Sequence, residues 1–294
     1  MKKQIVSILI GLASTLGAVS ASAADLNDVE NSFFPYKDGV PSYEGVSVGT
    51  VIEQSNVEQF KDILDESMYQ FISNGWTTIT VGETMAFQLN ENYIEATKAG
   101  LGQVSLGDQP GQINGFSAGR PFPEEPDAND PRAGEKLAWN YKYGYNWGDS
   151  AAIAPFYWKF RDLNSSKLER TLKFNFHFLN LKHRVNDTPK PDLPNNVADL
   201  FRAIYVQVLE PFDVKNTQLL IHRNEDDLER DNAWLYLGFQ RRVRRLATGQ
   251  VTDAFLGSDL MVEDFEGYNG RISDMNWAYK GTKNVLMPFY RHDQ

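Results

Sequence analysis

The sequence predicts an α+β fold in which a mostly antiparallel sheet carries helices on one side. Three observations predict it. Apolar residues recur at spacings of three and four in the first half of the chain, whereas several later segments alternate with a period of two. A proline-rich turn from Thr188 to Pro194 interrupts the later segments, and their pattern suggests mostly antiparallel neighbours. The chain has no cysteine, so packing rather than disulfides must hold it together.

Residues 1–23 read as a secretory signal peptide. Lys2 and Lys3 form a basic head, Ile5 to Val19 is mostly apolar, and Ala21-Ser22-Ala23 places small residues at a cleavage site after Ala23. A retained anchor needs about 20 apolar residues, but this run is short and meets Asp25, Asn27 and Asp28. Without cysteine the mature N-terminus is not a lipoprotein's. Residues 24–294 are read as a single periplasmic domain.

That domain opens with an irregular arm over 24–54, where Phe33, Phe34 and Tyr36 are expected to pin the chain to the body. Val57, Phe60, Ile63, Leu64, Met68, Phe71 and Ile72 make one face of a helix that Ser55 or Asn56 begins and Gly75 stops. Trp76 to Val81 reads as a short strand and Glu91 to Lys98 as a second helix. Residues 100–133 are rich in Gly, Pro, Asp and Glu and read as a long loop, a length associated with function or mobility. A third helix is expected from Gly134 to Tyr145.

Strands dominate afterwards. Leu172, Phe174, Phe176 and Phe178 alternate with Thr171, Lys173, Asn175 and His177, giving one apolar face. Ala203 to Leu209, Leu219 to His222, Ala233 to Leu237 and Gln240 to Leu246 supply four further strands. In the last, Arg242 and Arg244 share one face, and Arg241, Val243 and Arg245 the other. Guanidinium groups on both faces exclude a wholly buried strand unless each is paired. They read either as partners of Glu225, Asp226, Asp227, Glu229 and Asp231, or, for Arg242 and Arg244, as holders of an anionic head group.

The formal net charge of −10 argues against nucleic acid as a partner. The acids Asp253, Asp259, Glu263, Asp264 and Glu266 lack the spacing of a calcium loop, and Asp259 reads as a helix cap. His177, His183, His222 and His292 match no zinc spacing, and no Gly-x-Ser-x-Gly elbow, phosphate loop or dinucleotide fingerprint is present. No metal and no cofactor is expected. A serine–histidine–carboxylate hydrolase stays open, because convergence hides such sites from spacing. Trp139, Trp147 and Trp158 belong to an aromatic crowd. With Phe174, Phe176, Trp234 and Tyr236 they are the candidate lining of an apolar pocket, and the residues alone leave pocket and core open.

Four stretches carry a resemblance. These are Gly119-Arg120-Pro121-Phe122-Pro123, Gly134-Glu135-Lys136-Leu137-Ala138-Trp139-Asn140, the run from Gly238 to Arg245, and Phe255 through Tyr290 with its block from Gly257 to Arg271. Together they resemble an uncharacterised family of Gram-negative exported proteins (domain of unknown function 1329), labelled outer-membrane lipoprotein-sorting-like. Trp234-Leu235-Tyr236-Leu237, the arginine run and Phe255-Leu256-Gly257-Ser258-Asp259 are distantly similar to motifs of the lipoprotein carriers LolA and LolB. The resemblance implies an incomplete β-barrel with helices against its concave face, and acyl chains or other hydrophobic molecules as ligands. It also implies an inner-membrane transporter of the resistance-nodulation-division (RND) type and an outer-membrane protein as partners. Family members continue well past the counterpart of Tyr290, so the resemblance implies a C-terminally shortened chain. The expected task is periplasmic binding or carriage of a lipid-like ligand at the outer membrane. A structural adaptor for a transport complex is the alternative.

Overall fold

A computed structural model of the chain describes residues 24–85, 87–162, 164–165, 167–246, 254–258, 260–264 and 267–287. The expected signal peptide and the Asp259 cap lie outside the described residues. The arm contains a helix, α1 (Leu26–Phe33), which the polar composition concealed. Asp25 caps it by accepting from the Asn27 and Asp28 amides, and Asp28 reaches back to the Asp25 amide. Phe33 is pinned as expected, edge-on to Tyr93 and beneath the Arg120 guanidinium at 4.2 Å. Phe34 and Tyr36 are exposed instead.

The expected helix over 57–72 is two pieces. A 3-10 helix spans Val57–Ile63, and α2 (Glu66–Ser73) restarts after Asp65, whose carboxylate accepts the Met68 amide. An aspartate cap inside one apolar period divides the helix; Val57, Phe60, Ile63, Leu64 and Ile72 of the expected face are buried, whereas Phe71 is exposed. Strands β1 (Val51–Ile52) and β2 (Ile79–Thr80) pair beside it, so the Trp76–Val81 strand shrinks to two residues. Ile52, Phe60, Leu64 and Ile72 form one small core here.

α3 (Glu91–Ala99) begins at the Asn90 cap. The long loop that follows is anchored rather than loose. It contains the hairpin β3 (Ser105–Leu106) and β4 (Ile113–Asn114). Gly119, at φ +94°, lies so close to α3 that a Cβ there would sit 2.4 Å from the Thr97 amide nitrogen. Asn140 exchanges two hydrogen bonds with the Phe122 backbone. α4 (Ala133–Lys142) ends three residues before the expected boundary.

The dominant element is a curved, unclosed antiparallel sheet of six strands. These are β5 (Ser150–Arg161), β6 (Leu168–Asn180), β7 (Leu200–Glu210), β8 (Gln218–Asn224), β9 (Asn232–Leu237) and β10 (Arg242–Arg245), neighbours in chain order. β5 was hidden within the aromatic crowd, although Phe156, Trp158 and Phe160 alternate with Tyr157, Lys159 and Arg161. Register shifts between Ile153 and Phe156 on β5, at Lys173/Phe174 on β6 and between Leu200 and Arg202 on β7 mark bulges, which bend and twist strands.

Bending brings the apolar side chains of one face onto each other. Phe174 pairs with Phe156 and Val208, Phe176 with Val206, and Phe178 with Ile204. Val214, Leu246 and Leu256 close over the same cluster. Burying each such side chain stabilises the fold by roughly 1.5–3 kcal/mol. The described C-terminal residues then return as a strap across the body. Leu286 donates its amide to Ile63 O at 2.7 Å, and Lys283 reaches Leu64 O.

Candidate functional site

Beyond one end of the sheet, α4, the start of β7, the end of β8 with the turn after it, and the strap border a half-open cavity of about 440 Å³, within the usual size range of small-ligand sites. Leu137, Ala138 and Tyr141 line it from α4, and Phe201 from β7. Tyr268, Ile272 and Trp277 line it from the strap, and Arg202 and Arg223 from the sheet. The wall is thus largely apolar with a few convergent polar groups.

One buried carboxylate assembles this site. Asp227, in the β8–β9 turn, accepts Lys142 Nζ at 2.7 Å, the Ile272 amide at 3.1 Å and the Ser273 amide at 2.8 Å. Burial pushes its carboxyl up, but the Lys142 charge and these hydrogen bonds outweigh that and hold it below the ordinary value. Turn, helix and strap therefore meet at one charge. Gly134 permits the last contact, because a Cβ there would lie 2.6 Å from the Trp277 carbonyl carbon. Arg271 locks the strap further, donating to the Asp227 and Leu228 carbonyls and pairing with Asp274.

Tyr268 donates to Arg271 O at 2.7 Å and meets Trp277 edge-on at 5.3 Å. Burial, then the charges of Glu263, Asp274 and Asp227, push its hydroxyl up to about 12, so it stays a neutral donor. Glu263 is likewise raised, by burial first and by Asp274 and Asp231, against the pull of Arg223 and Arg271. Among the described residues no group of ligating side chains could hold a metal ion.

A second polar cluster backs the site. His183 places Nε2 at 2.9 Å from Glu225 and Nδ1 beside Ser117 O. Burial raises the Glu225 carboxyl, but the His183 hydrogen bond and charge, with Lys182 and Lys142, hold it low. Asp149 organises the neighbouring loop by accepting the amides of Val185, Asn186 and Asp187.

The structure scatters the residues the sequence nominated. Trp158, Phe174 and Phe176 do come together, and Trp147 meets Phe178 edge-on at 6.3 Å. Phe174 and Leu172 are 0% exposed, so neither faces a space that admits water. Trp139 lies in another core, stacked on Tyr143 with its Nε1 lacking a partner. Trp234 and Tyr236 point from the opposite face of the sheet, since Leu235 aligns with Leu219 on the buried face and Trp234 meets His222.

Arg242 and Arg244 share one face, as expected, on the exposed strand β10. Arg244 donates to Gln240, and Arg245 to Asn232. Arg241 lies in the preceding turn at φ 50°, which shortens the expected strand. Three of the five acids proposed as their partners are engaged elsewhere: Asp231 with Arg223, Asp227 with Lys142, and Glu225 with His183.

Sequence reasoning missed Arg202, Arg223, Asp227, Tyr268 and Trp277. One signal was present. The stretch from Gly134 to Asn140 and the block ending at Arg271, both among those carrying the resemblance, face each other across the cavity.

A family profile described as protein of unknown function, DUF1329, matches residues 51–293. An uncharacterized protein of Pseudomonas aeruginosa is 24% identical over 290 residues, covering 95% of this chain and 56% of the relative. The chain therefore spans about half the length of the curated relative it matches. A crystal structure of a DUF1329 family protein from Desulfovibrio piger aligns with 53% of this chain and 57% of its own, at 20% identity and a TM-score of 0.39. An outer membrane lipoprotein-sorting protein domain from Vibrio parahaemolyticus aligns with 50% of this chain and 52% of its own, at 22% identity and a TM-score of 0.36.

Proposed function

This chain belongs to the DUF1329 family of proteins of unknown function, and on that footing we propose that it binds a hydrophobic or lipid-like small molecule non-covalently in the cavity between α4 and the strap. The carrying observation is the space itself, about 440 Å³ walled by Leu137, Tyr141, Phe201, Ile272 and Trp277. Each methylene transferred from water to such a wall contributes about 0.8 kcal/mol. In this reading the ligand lies away from the apolar face of the sheet, where Leu172, Phe174 and Phe178 are buried.

The place of action, the periplasm, rests on the leader-like N-terminus. Among the described residues no helix is long and apolar enough to cross a membrane. Carriage between an RND-type inner-membrane transporter and an outer-membrane protein extends the same proposal. Native mass spectrometry of the full chain after gentle periplasmic extraction tests it. A bound small molecule is expected, and Leu137→Trp, which narrows the cavity, should weaken its retention. A wild-type protein that stays empty and ignores decanol and decanoate would sink the reading.

The structural-adaptor alternative draws on β10, whose four residues are all exposed and which includes Val243 beside the exposed Phe239 of the turn. Crosslinking from Val243 to a transport protein, unaffected by lipid extraction, would favour it.

A further inference from the structure

The cavity lies at one end of the sheet, bordered by the start of β7 and the end of β8. The opposite end presents the hairpin turns, and two of them touch. A Cβ on Gly238, in the β9–β10 turn, would lie 2.7 Å from Lys215 O and 2.9 Å from Asn216 Cβ in the β7–β8 turn. Each turn carries one exposed phenylalanine, Phe212 at 92% exposure and Phe239 at 71%. Val214, in the same turn as Phe212, packs against the apolar cluster of the sheet instead. The turn therefore has its inward anchor already, and Phe212 contributes almost no burial to the fold. Apolar residues exposed singly are common on protein surfaces. Here two rings stand on touching turns, at positions that Gly, Asn and Asp usually occupy, and both are left in water.

The charge around these rings runs against that of the whole chain. The formal net charge is −10, yet no acid lies between Asn232 and Thr252, a stretch that holds Arg241, Arg242, Arg244 and Arg245. Arg244 and Arg245 donate to Gln240 and Asn232, which are neutral and cancel none of that charge. The acids beside Phe212 are engaged, Glu210 with Lys173 and Asp213 with Arg170. Lys215, Arg241 and Arg242 are exposed and stand within three residues of one or other phenylalanine. Going beyond the cavity and independently of it, we infer that this end of the sheet docks on an anionic lipid surface. Phe212 and Phe239 enter the boundary between head groups and acyl chains, while Lys215, Arg241 and Arg242 meet the lipid phosphates. Arg244 and Arg245 add less, because they lie roughly 7–10 Å up the strand from Arg242, near the screening length of about 8 Å in physiological salt. An acidic protein surface would answer the arginines alone, whereas two bare rings favour a phase with an apolar interior.

The test is flotation of the protein extracted from the periplasm with vesicles of phosphatidylcholine, alone or mixed with phosphatidylglycerol. Binding should be much tighter to the mixed vesicles and should fall as salt rises. Phe212→Ser and Phe239→Ser should each weaken it about tenfold. Arg242→Glu, which reverses a charge, should weaken it about twenty-five-fold, since each cation near the surface is worth about fivefold. These side chains are exposed, so the urea midpoint should stay at its wild-type value, which separates a docking defect from a folding one. In Phe212→Trp the added indole should be quenched by brominated acyl chains. Equal binding to phosphatidylcholine alone, binding to neither vesicle, binding that the serine and glutamate variants leave unchanged, or an unquenched indole would each overturn the lipid surface and return this end to the protein partner of the adaptor reading. A protein that floats with the mixed vesicles but ignores decanol and decanoate would sink the cavity reading and spare this one.

Discussion

On the apolar face of the sheet, Leu172, Phe174, Val206 and Val208 are sealed to 2% exposure or less. At the end of the same sheet, Leu137, Tyr141 and Trp277 border open space. Both regions use large apolar side chains, yet one is a core and the other a cavity. The difference lies in what faces them. Bulged strands turn the first set inward on itself, so Phe156, Trp158 and Phe174 fill the space they enclose. The second set lies around a charge, Asp227, whose hydrogen bonds tie helix, turn and strap to one another. Apolar lining alone therefore does not make a pocket; here it comes with a polar frame.

The largest effect tests the sealed region. Phe174→Ala should lower stability by about 3–5 kcal/mol, because a filled core loses its transfer energy and gains a void. Urea denaturation measures it, and the folded fraction should bind ligand as before. A loss of binding in that fraction would join the two regions after all.

Asp227→Ala attacks the frame. It leaves Lys142 unpaired in a mostly buried site and frees two strap amides, at about 3 kcal/mol. Limited proteolysis should then cut within residues 271–287 faster than in the wild type. Gly134→Ala is smaller, about 1–3 kcal/mol of overpacking against the Trp277 backbone. A drop in ligand affinity exceeding its drop in Tm would place the damage at the cavity.

Acid sharpens the contrast, since the sealed face carries no titrating carboxylate in its apolar cluster. Asp227 and Glu225 have folded pKa values below their reference values of 3.8 and 4.5. Their stabilisation is complete above those reference values and is lost as pH falls through the depressed folded ones. Above about pH 4.5 these two groups leave the urea midpoint unchanged and below it they lower it, against Glu263, whose raised carboxyl favours the folded state as it takes up its proton. Asp227→Asn should flatten that decline, and an unchanged slope would remove Asp227 from the frame. Smallest of all, Arg244→Ser on the exposed edge strand should change stability by no more than about 0.5 kcal/mol and leave binding untouched. A clear loss of binding would return the head group to β10.

Most strands were legible because a period of two is a local property. Leu172, Phe174, Phe176 and Phe178 announce one face of β6 without knowledge of any neighbour. α1 was missed because its signal is a two-aspartate cap on a polar segment, and β5 because its alternating aromatics were taken together with those of α4. The site was less legible. Trp139, Trp158 and Trp234 look alike in sequence, yet they occupy a separate core, the apolar face and the opposite face of the sheet.

By itself the sequence determined the alternation of helices and strands, the antiparallel order and the acidic, cysteine-free character of the chain, since each follows from neighbouring residues or from composition. Only the tertiary structure decided where empty space remains. That depends on partners far apart in the chain, such as Lys142 with Asp227 and Gly134 with Trp277, and on the register that sets Arg202 opposite Arg223. Side-chain chemistry is written along the chain, but which side chains meet is fixed by bulges, turns and one buried charge.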